Sequence, residues 1–294
     1  MTNLVIVMAG DGSLHEHFTS GRAFELWVCY WGDDDAVAAR FEESCDRFFR
    51  IKGQKWALVR EIGKTAREQG LPPFSGYDYV FLPDDDIEFP NGAADITRAF
   101  ELAGDIRADM FQPAITNESY SWEASRRLTD AVCHATTYAE IMMPAYSGAI
   151  FEECVLRILH LDGYLQVGWG LEPSVVRLAE SWFDRPVRTF VLDDVPVVHA
   201  RPLRTGTSAY DRGWAEAFLT PFFEGLLMRE VARFASREAA ANFEFQMSDN
   251  YVDWPRVEQH MQDVSAARRL LRASKKRTLR AAMLALVMRG SRNS

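Results

Sequence analysis

The chain of 294 residues is 48% hydrophobic and 26% charged, enough for one large or two small domains with a real core and ordinary for a globular protein. Its formal net charge of -9 argues against a general nucleic-acid binder, and no apolar run approaches the length needed to cross a bilayer. The charge is unevenly placed. After Asp263 there is no acid, while Arg268, Arg269, Arg272, Lys275, Lys276, Arg277, Arg280, Arg289 and Arg292 supply nine bases; removing those nine from the 33 basic residues leaves 24 against 42 acids. The tail is therefore a separate physical object. Cys29, Cys45, Cys133 and Cys154 lack the close spacing of a zinc site or redox pair, so buried thiols in a reducing compartment are the simpler reading, with two disulfides left open. Met1-Thr2-Asn3 leads straight into an apolar run without the basic leader of a signal peptide.

In chain order, Leu4 to Ala9 reads as a central strand buried on both faces, followed by Gly10-Asp11-Gly12-Ser13. The glycines there permit close approach by a ligand, but neither a dinucleotide fingerprint nor a phosphate-loop lysine is present. Leu26 to Trp31 repeats the pattern and ends in Gly32-Asp33-Asp34-Asp35. That acidic triplet is a rival metal site, or equally the start of a helix entering at Ala36. A short strand or turn over Phe48 to Ile51 precedes an amphipathic helix that runs to about Gln69, where Gly70 and Pro72-Pro73 stop it. Tyr79 to Leu82 is a buried strand running into Asp84-Asp85-Asp86. Charges at the end of a core strand need a cation, a basic side chain or open water to offset their desolvation. Residues one and three of such a triplet face the same opening, so Asp84 and Asp86 are candidate ligands for a divalent metal; the other reading is a solvated acidic turn.

Gly92 to Ala103 is predicted as a helix and Asp109 to Ala114 as a strand entering a loop with Asn117 to Trp122. The first half thus alternates strand and helix, as an α/β sheet does. Tyr138 to Ser147 is mostly apolar with one acid, Glu140, and Pro144 to interrupt any helix; Phe151 to Leu161 carries a helical stripe. Gly168-Trp169-Gly170-Leu171-Glu172 has two readings. It offers an indole face to a sugar ring with Glu172 in reach, or it is a turn whose tryptophan caps the core. Pro186 to Leu192 is predicted as a further strand, and a second short apolar stretch ends in His199, with Arg201 and Arg204 next and able to meet a phosphate. Trp214 to Phe234 is predicted helical. The last segment combines its bases with Leu270, Leu271, Leu279, Met283, Leu284 and Val287, the pattern of an amphipathic helix at an anionic membrane surface or docked on protein.

Asp84-Asp85-Asp86 behind a strand, Glu140-Ile141-Met142-Met143-Pro144 with Ser147, Gly168-Trp169-Gly170-Leu171-Glu172 and Val197-Val198-His199 occur in an order that resembles the domain-of-unknown-function family 707. That family is similar to the GT-A class of nucleotide-sugar glycosyltransferases. The similarity covers roughly residues 56 to 205. It implies a GT-A-like, Rossmann-like mixed α/β sheet flanked by helices, expected over 1–210 with a helical extension over 211–263 packed on it; the basic amphipathic tail over 264–294 lies outside the resemblance. By the same resemblance Asp84, Asp86 and His199 hold Mn²⁺ or Mg²⁺, and Asp84, Asp85, Glu140, Trp169 and Gly170 bind substrate; Gly10 and Asp11 in the first loop and Arg201 and Arg204 after His199 are further substrate-binding candidates by their own positions. Glu172 stands where, after a similar Gly-Trp-Gly loop, an acid serves as catalytic base in some inverting GT-A enzymes. The chain departs from the family at Asp85, usually glutamate, and at Glu172, usually aspartate; the second matters more, because reach decides whether a base meets its proton.

The implied partners are a nucleotide-sugar donor, a glycan or lipid-linked acceptor and an anionic membrane surface through the tail, with no nucleic acid. The implied location is cytoplasmic, peripheral to the inner face of the cell membrane. Three alternatives use the same residues differently. A metal-dependent hydrolase would direct the carboxylates at water, a non-catalytic carbohydrate-binding protein would need only Trp169, and a membrane-surface protein would depend on the tail.

Overall fold

A computed structural model describes residues 2–116, 125–161 and 165–201, together with Gly213, Glu216, Ala217 and Thr220. The Asn117 to Trp122 loop, Arg204, most of the predicted 211–263 extension and the 264–294 tail lie outside them.

The core is a mixed sheet between two helical layers. Strands β1 (Asn3–Ala9), β2 (Glu25–Tyr30), β3 (Arg47–Arg50) and β4 (Tyr79–Phe81) are parallel in the order β3-β2-β1-β4. Beyond β4 the order continues β8-β6-β9-β5, with β8 (Ala145–Ser147) antiparallel between β4 and β6 (Met110–Ile115). β9 (Thr189–His199) runs parallel to β6 and antiparallel to β5 (Ile87–Glu88) and β7 (His134–Thr136). Side-chain alternation divides the core. Leu4, Ile6 and Met8 of β1 pack with α2 (Lys55–Glu68), the helical run α4 over 148–161 and α5 (Leu171–Phe183). Val5, Val7 and Ala9 pack with α1 (Asp35–Ser44) and α3 (Ala93–Asp105). Burial on both faces explains why the strands carry unbroken apolar runs.

Several local expectations meet a physical reason. Asp34 caps α1, accepting from the N–H groups of Ala36 and Val37 at 2.8 and 3.2 Å, so of the two readings of the 33–35 triplet the helix start is realised. Gly70, at φ +66°, ends α2 as a left-handed cap. The four thiols are unpaired, Cys29 and Cys154 being buried. No described helix is long and apolar enough to cross a membrane.

Two elements differ from expectation. The strand of 186–192 and the stretch ending at His199 are one strand, β9, whose pairing with β6 jumps from Pro113–Leu192 to Ala114–Pro196. Residues 193–195 bulge out there. The bulge buries Asp193, which accepts from Leu128 N at 2.5 Å and pairs with His134 Nδ1 at 2.7 Å; an acidic pair in the sequence therefore marks an irregularity inside a strand, not a break between two. The helix expected over 151–161 begins at Gly148 and contains a π turn at Phe151–Val155, an offset that hydrophobic periodicity does not reveal.

The β4 end is anchored by Phe81, fully buried and in ring contact with Phe89, Phe100 and Phe111. Phe81→Ala leaves a cavity in that cluster and is expected to cost about 3–5 kcal/mol, read as a lower urea midpoint with an unchanged m value.

Candidate active site

The parallel strands β1 and β4 deliver their C-terminal ends to one edge of the sheet, the usual place for a ligand in an open α/β sheet. The acidic triplet leaves β4 there, and its three carboxylates have different partners. Asp84 receives the Lys55 ammonium at 2.6 Å, and Lys55 also donates to the carbonyls of Ile141 at 2.7 Å and Met142 at 2.9 Å. Asp85 turns back to accept the Gly10 N–H at 2.8 Å, while its carbonyl takes Leu14 N at 2.7 Å. Asp86 faces His199, Oδ1 to Nε2 at 3.3 Å. That last meeting follows from topology: Ile87 pairs with His199 in the β5–β9 ladder, and Ala200 N donates to Asp86 O at 2.9 Å.

The loop after β1 is held from two sides, by Asp85 on Gly10 and by the exposed Arg201, which donates to the Gly12 carbonyl. Asp11 accepts from the Tyr30 hydroxyl. Trp31, 42% exposed, lies so close over Gly10 that a Cβ there would fall 2.4 Å from its ring. A side chain there would push the indole aside.

A second pair of acids sits across the turn that follows residue 139. Glu140 is buried, its N–H donating to Gln112 Oε1 at 2.6 Å and its carboxylate accepting Met142 N at 3.1 Å. Burial, reinforced by the negative field of Glu172, pushes its carboxyl up to about 8. Glu172 lies in the first turn of α5, where the helix dipole favours an anion. Its carboxylate accepts from Gly170 N at 3.2 Å and from the Ile141 N–H. Burial outweighs those bonds and raises the group to about 7. The Ile141 backbone thus links the two halves of the site: its N–H serves Glu172, and its carbonyl serves the Lys55 that holds Asp84. Asp84 itself is raised by burial, with Lys55 opposing.

The Gly-Trp-Gly loop presents Glu172 because its glycines are required. Gly168 and Gly170 have φ of +93° and +91°, which favour glycine, and a Cβ on Gly168 would lie 2.1 Å from the Trp56 ring. Trp169 is half-buried against the core cluster. A Cβ on Gly213 would lie 2.7 Å from its ring.

Among the predicted residues, then, Asp84, Asp85, Asp86, His199, Arg201, Gly10 and Asp11 gather at the sheet edge. Glu140, Gly170 and Glu172 gather around the Ile141 backbone. Trp169 sits behind the loop, and Arg204 lies outside the described residues. Lys55 was not anticipated, although a lysine at the first position of α2 opposes the helix dipole and so hints at another duty. Trp31 was readable as an aromatic ending its strand beside Gly32.

Whether these residues fit a divalent metal is decided by donor chemistry. Carboxylate and imidazole suit Mn²⁺, and adjacent ligands in an octahedral shell lie about 3 Å apart, near the 3.3 Å between Asp86 and His199. Asp84 is engaged by Lys55, and among the described residues no group of three His, Cys, Asp or Glu side chains forms a metal-holding cluster. The fit is therefore to a two-residue protein ligand set completed by other oxygens.

Two outcomes are expected. Lys55→Met leaves the Asp84 carboxylate without its cation and should lower stability by about 1–3 kcal/mol, most of it recovered in Lys55→Met/Asp84→Asn, a coupling measurable by a double-mutant cycle. Glu140 has a folded pKa of about 8 against an ordinary 4.5, so the native state holds the extra proton between those values. Unfolding free energy should fall as pH rises through that window, and Glu140→Gln should flatten the fall.

No family model matches the sequence and no curated protein matches it, so the resemblance to family 707 rests on its motifs. Solved structures do match. Staphylococcus aureus TarS is 8% identical at a TM-score of 0.42, covering 90% of this chain, and the chain spans about half (48%) of that one. The TarS 1-349 crystal structure in complex with UDP is 9% identical at a TM-score of 0.40, covering 90% of this chain and 81% of that one. A protein of Desulfovibrio desulfuricans G20, provisionally described as a nucleotide-diphospho-sugar transferase, is 11% identical at a TM-score of 0.37, covering 76% of this chain and 99% of that one.

Proposed function

We propose that the chain is a glycosyltransferase of GT-A type that moves a sugar from a nucleotide-sugar donor to a glycan or lipid-linked acceptor, with inversion. The observation that carries this reading is the Glu172 carboxylate, half-buried, raised to about 7 and tied through the Ile141 backbone to the Lys55–Asp84 pair. A group at that value is ionised about half the time at neutral pH and accepts a proton readily, as a general base must.

In this reading the donor diphosphate lies at the sheet edge, beside Asp86, His199 and the Gly10–Ser13 loop. A divalent cation held by Asp86 and His199 supplies neutralisation of the diphosphate charge when bound. Arg201, at the rim, adds a guanidinium for the same phosphates. Asp85 keeps the loop closed on that edge, and Trp31 offers an exposed ring beside it. Lys55 keeps Asp84 paired, so that this carboxylate does not repel the donor. Glu172 takes the proton from an acceptor hydroxyl on the face opposite the leaving diphosphate, and attack from that side inverts the anomeric centre. Glu140, mostly protonated at neutral pH, stays uncharged behind it. The basic amphipathic tail, outside the described residues, favours an acceptor presented at an anionic lipid surface.

A panel of nucleotide sugars with Mn²⁺ tests the reading. Turnover should rise with pH through a limb near 7, and Glu172→Gln should lower kcat by about 10²–10⁴-fold with donor binding little changed. NMR of the product should show an inverted anomeric centre. Retention, or full activity in Glu172→Gln, would remove the residue from this role.

A further inference from the structure

Gly213, Glu216, Ala217 and Thr220 lie on helix, and their i, i+3, i+4, i+7 spacing puts them on one face. All four meet the Gly168–Trp169–Gly170 segment. The Glu216 carboxylate, 1% exposed, accepts three successive backbone N–H groups: Gln166 at 3.0 Å, Val167 at 2.9 Å and Gly168 at 2.8 Å. Gly213 lets the helix lie flat on the Trp169 indole, and a Cβ on Gly170 would come within 2.9 Å of Ala217 Cα. Thr220 Oγ1 lies 3.0 Å from Glu216 O and 3.5 Å from Trp169 O. The far side of the segment is tied as well, Trp56 N donating to Gln166 O at 3.1 Å one residue beyond Lys55.

We propose that Glu216 is a positioning residue for Glu172: by gathering three backbone N–H groups it fixes the loop whose last residue, Gly170, both begins α5 and donates to the Glu172 carboxylate. The proposal rests on the reading of Glu172 as the base. A carboxylate suits this task because it only accepts; the glutamine isostere would turn an NH₂ toward backbone donors. The three bonds order a segment whose glycines would otherwise allow many conformations. Glu140, Tyr138 and Tyr146 share the electrostatic field of Glu172, so a loop that shifts changes the balance among all of them.

The test uses the intact chain with Glu216→Gln. Amide exchange at 166–168 should accelerate by at least about tenfold while β1 and α3 keep their protection. The Glu172 titration midpoint, followed by carboxyl ¹³C NMR, should move from about 7 toward the ordinary 4.5 as water enters. With the nucleotide sugar that turns over in the panel, kcat should drop and donor KM should hold, with Glu216→Asp intermediate. If Glu216→Gln does not fold, Gly213→Ala, which presses a methyl against the Trp169 ring, should produce the same shift in the Glu172 midpoint. Unchanged exchange and an unchanged midpoint in Glu216→Gln, or an unmoved midpoint in Gly213→Ala, would overturn the proposal. Failure of the base reading is distinguishable: Glu172→Gln would keep its turnover while the exchange and titration effects of Glu216→Gln persisted.

Discussion

A carboxylate taken out of water needs a cation or several N–H donors within reach, and four such groups lie in the site, three of them around the short turn that follows Ala139. Each is met in its own way: Asp84 by Lys55, Asp85 by Gly10 N, Glu140 by Met142 N and Glu172 by the amides of Gly170 and Ile141. The turn itself is closed by Met143 N on Glu140 O at 3.2 Å. Because the Ile141 backbone serves Glu172 through its N–H and Lys55 through its carbonyl, displacing that residue disturbs both halves of the site together. The raised pKa values are the remainder of this compensation: burial outweighs the backbone amides at Glu172 and Glu140, and at Asp84 it still prevails although the Lys55 ammonium opposes it.

The second dependence is topological. β9 lies between β6 and β5, reaches past the sheet edge and brings His199, Ala200 and Arg201 to a triplet far earlier in the chain. Its bulge at 193–195 allows one strand to continue the β6 ladder at one end and cover β5 at the other. Without that irregularity the register would carry His199 elsewhere.

The sheet was legible because strands buried on both faces must be apolar throughout, and their ends were marked by the polar residues they deliver. Asp84 to Asp86, Gly10 and Asp11, Glu172 and His199 stand out for that reason. What stayed hidden depends on contacts distant in sequence. Lys55 carries only the faint signal of a base at the wrong helix end, and its acceptors lie 29, 86 and 87 residues away. Glu216 carries none, since one glutamate in an amphipathic helix reads as surface. Trp169 illustrates a different limit: glycines on either side of an indole serve a sugar and a helix equally well, and here a helix glycine abuts the ring. The π turn is invisible because one inserted residue preserves apolar content while shifting phase.

The place of β9 also bears on how the molecule is made. It is the last described strand to leave the ribosome, yet it occupies an interior position in the sheet. Until it emerges, β6 presents an open edge to other nascent chains, and such edges template association. Pairing across so long a separation is slow. Synthesis therefore passes through a stage in which the three carboxylates at the end of β4 have emerged without His199 and Arg201, so a chain released early would expose a sticky edge and an incomplete site at once.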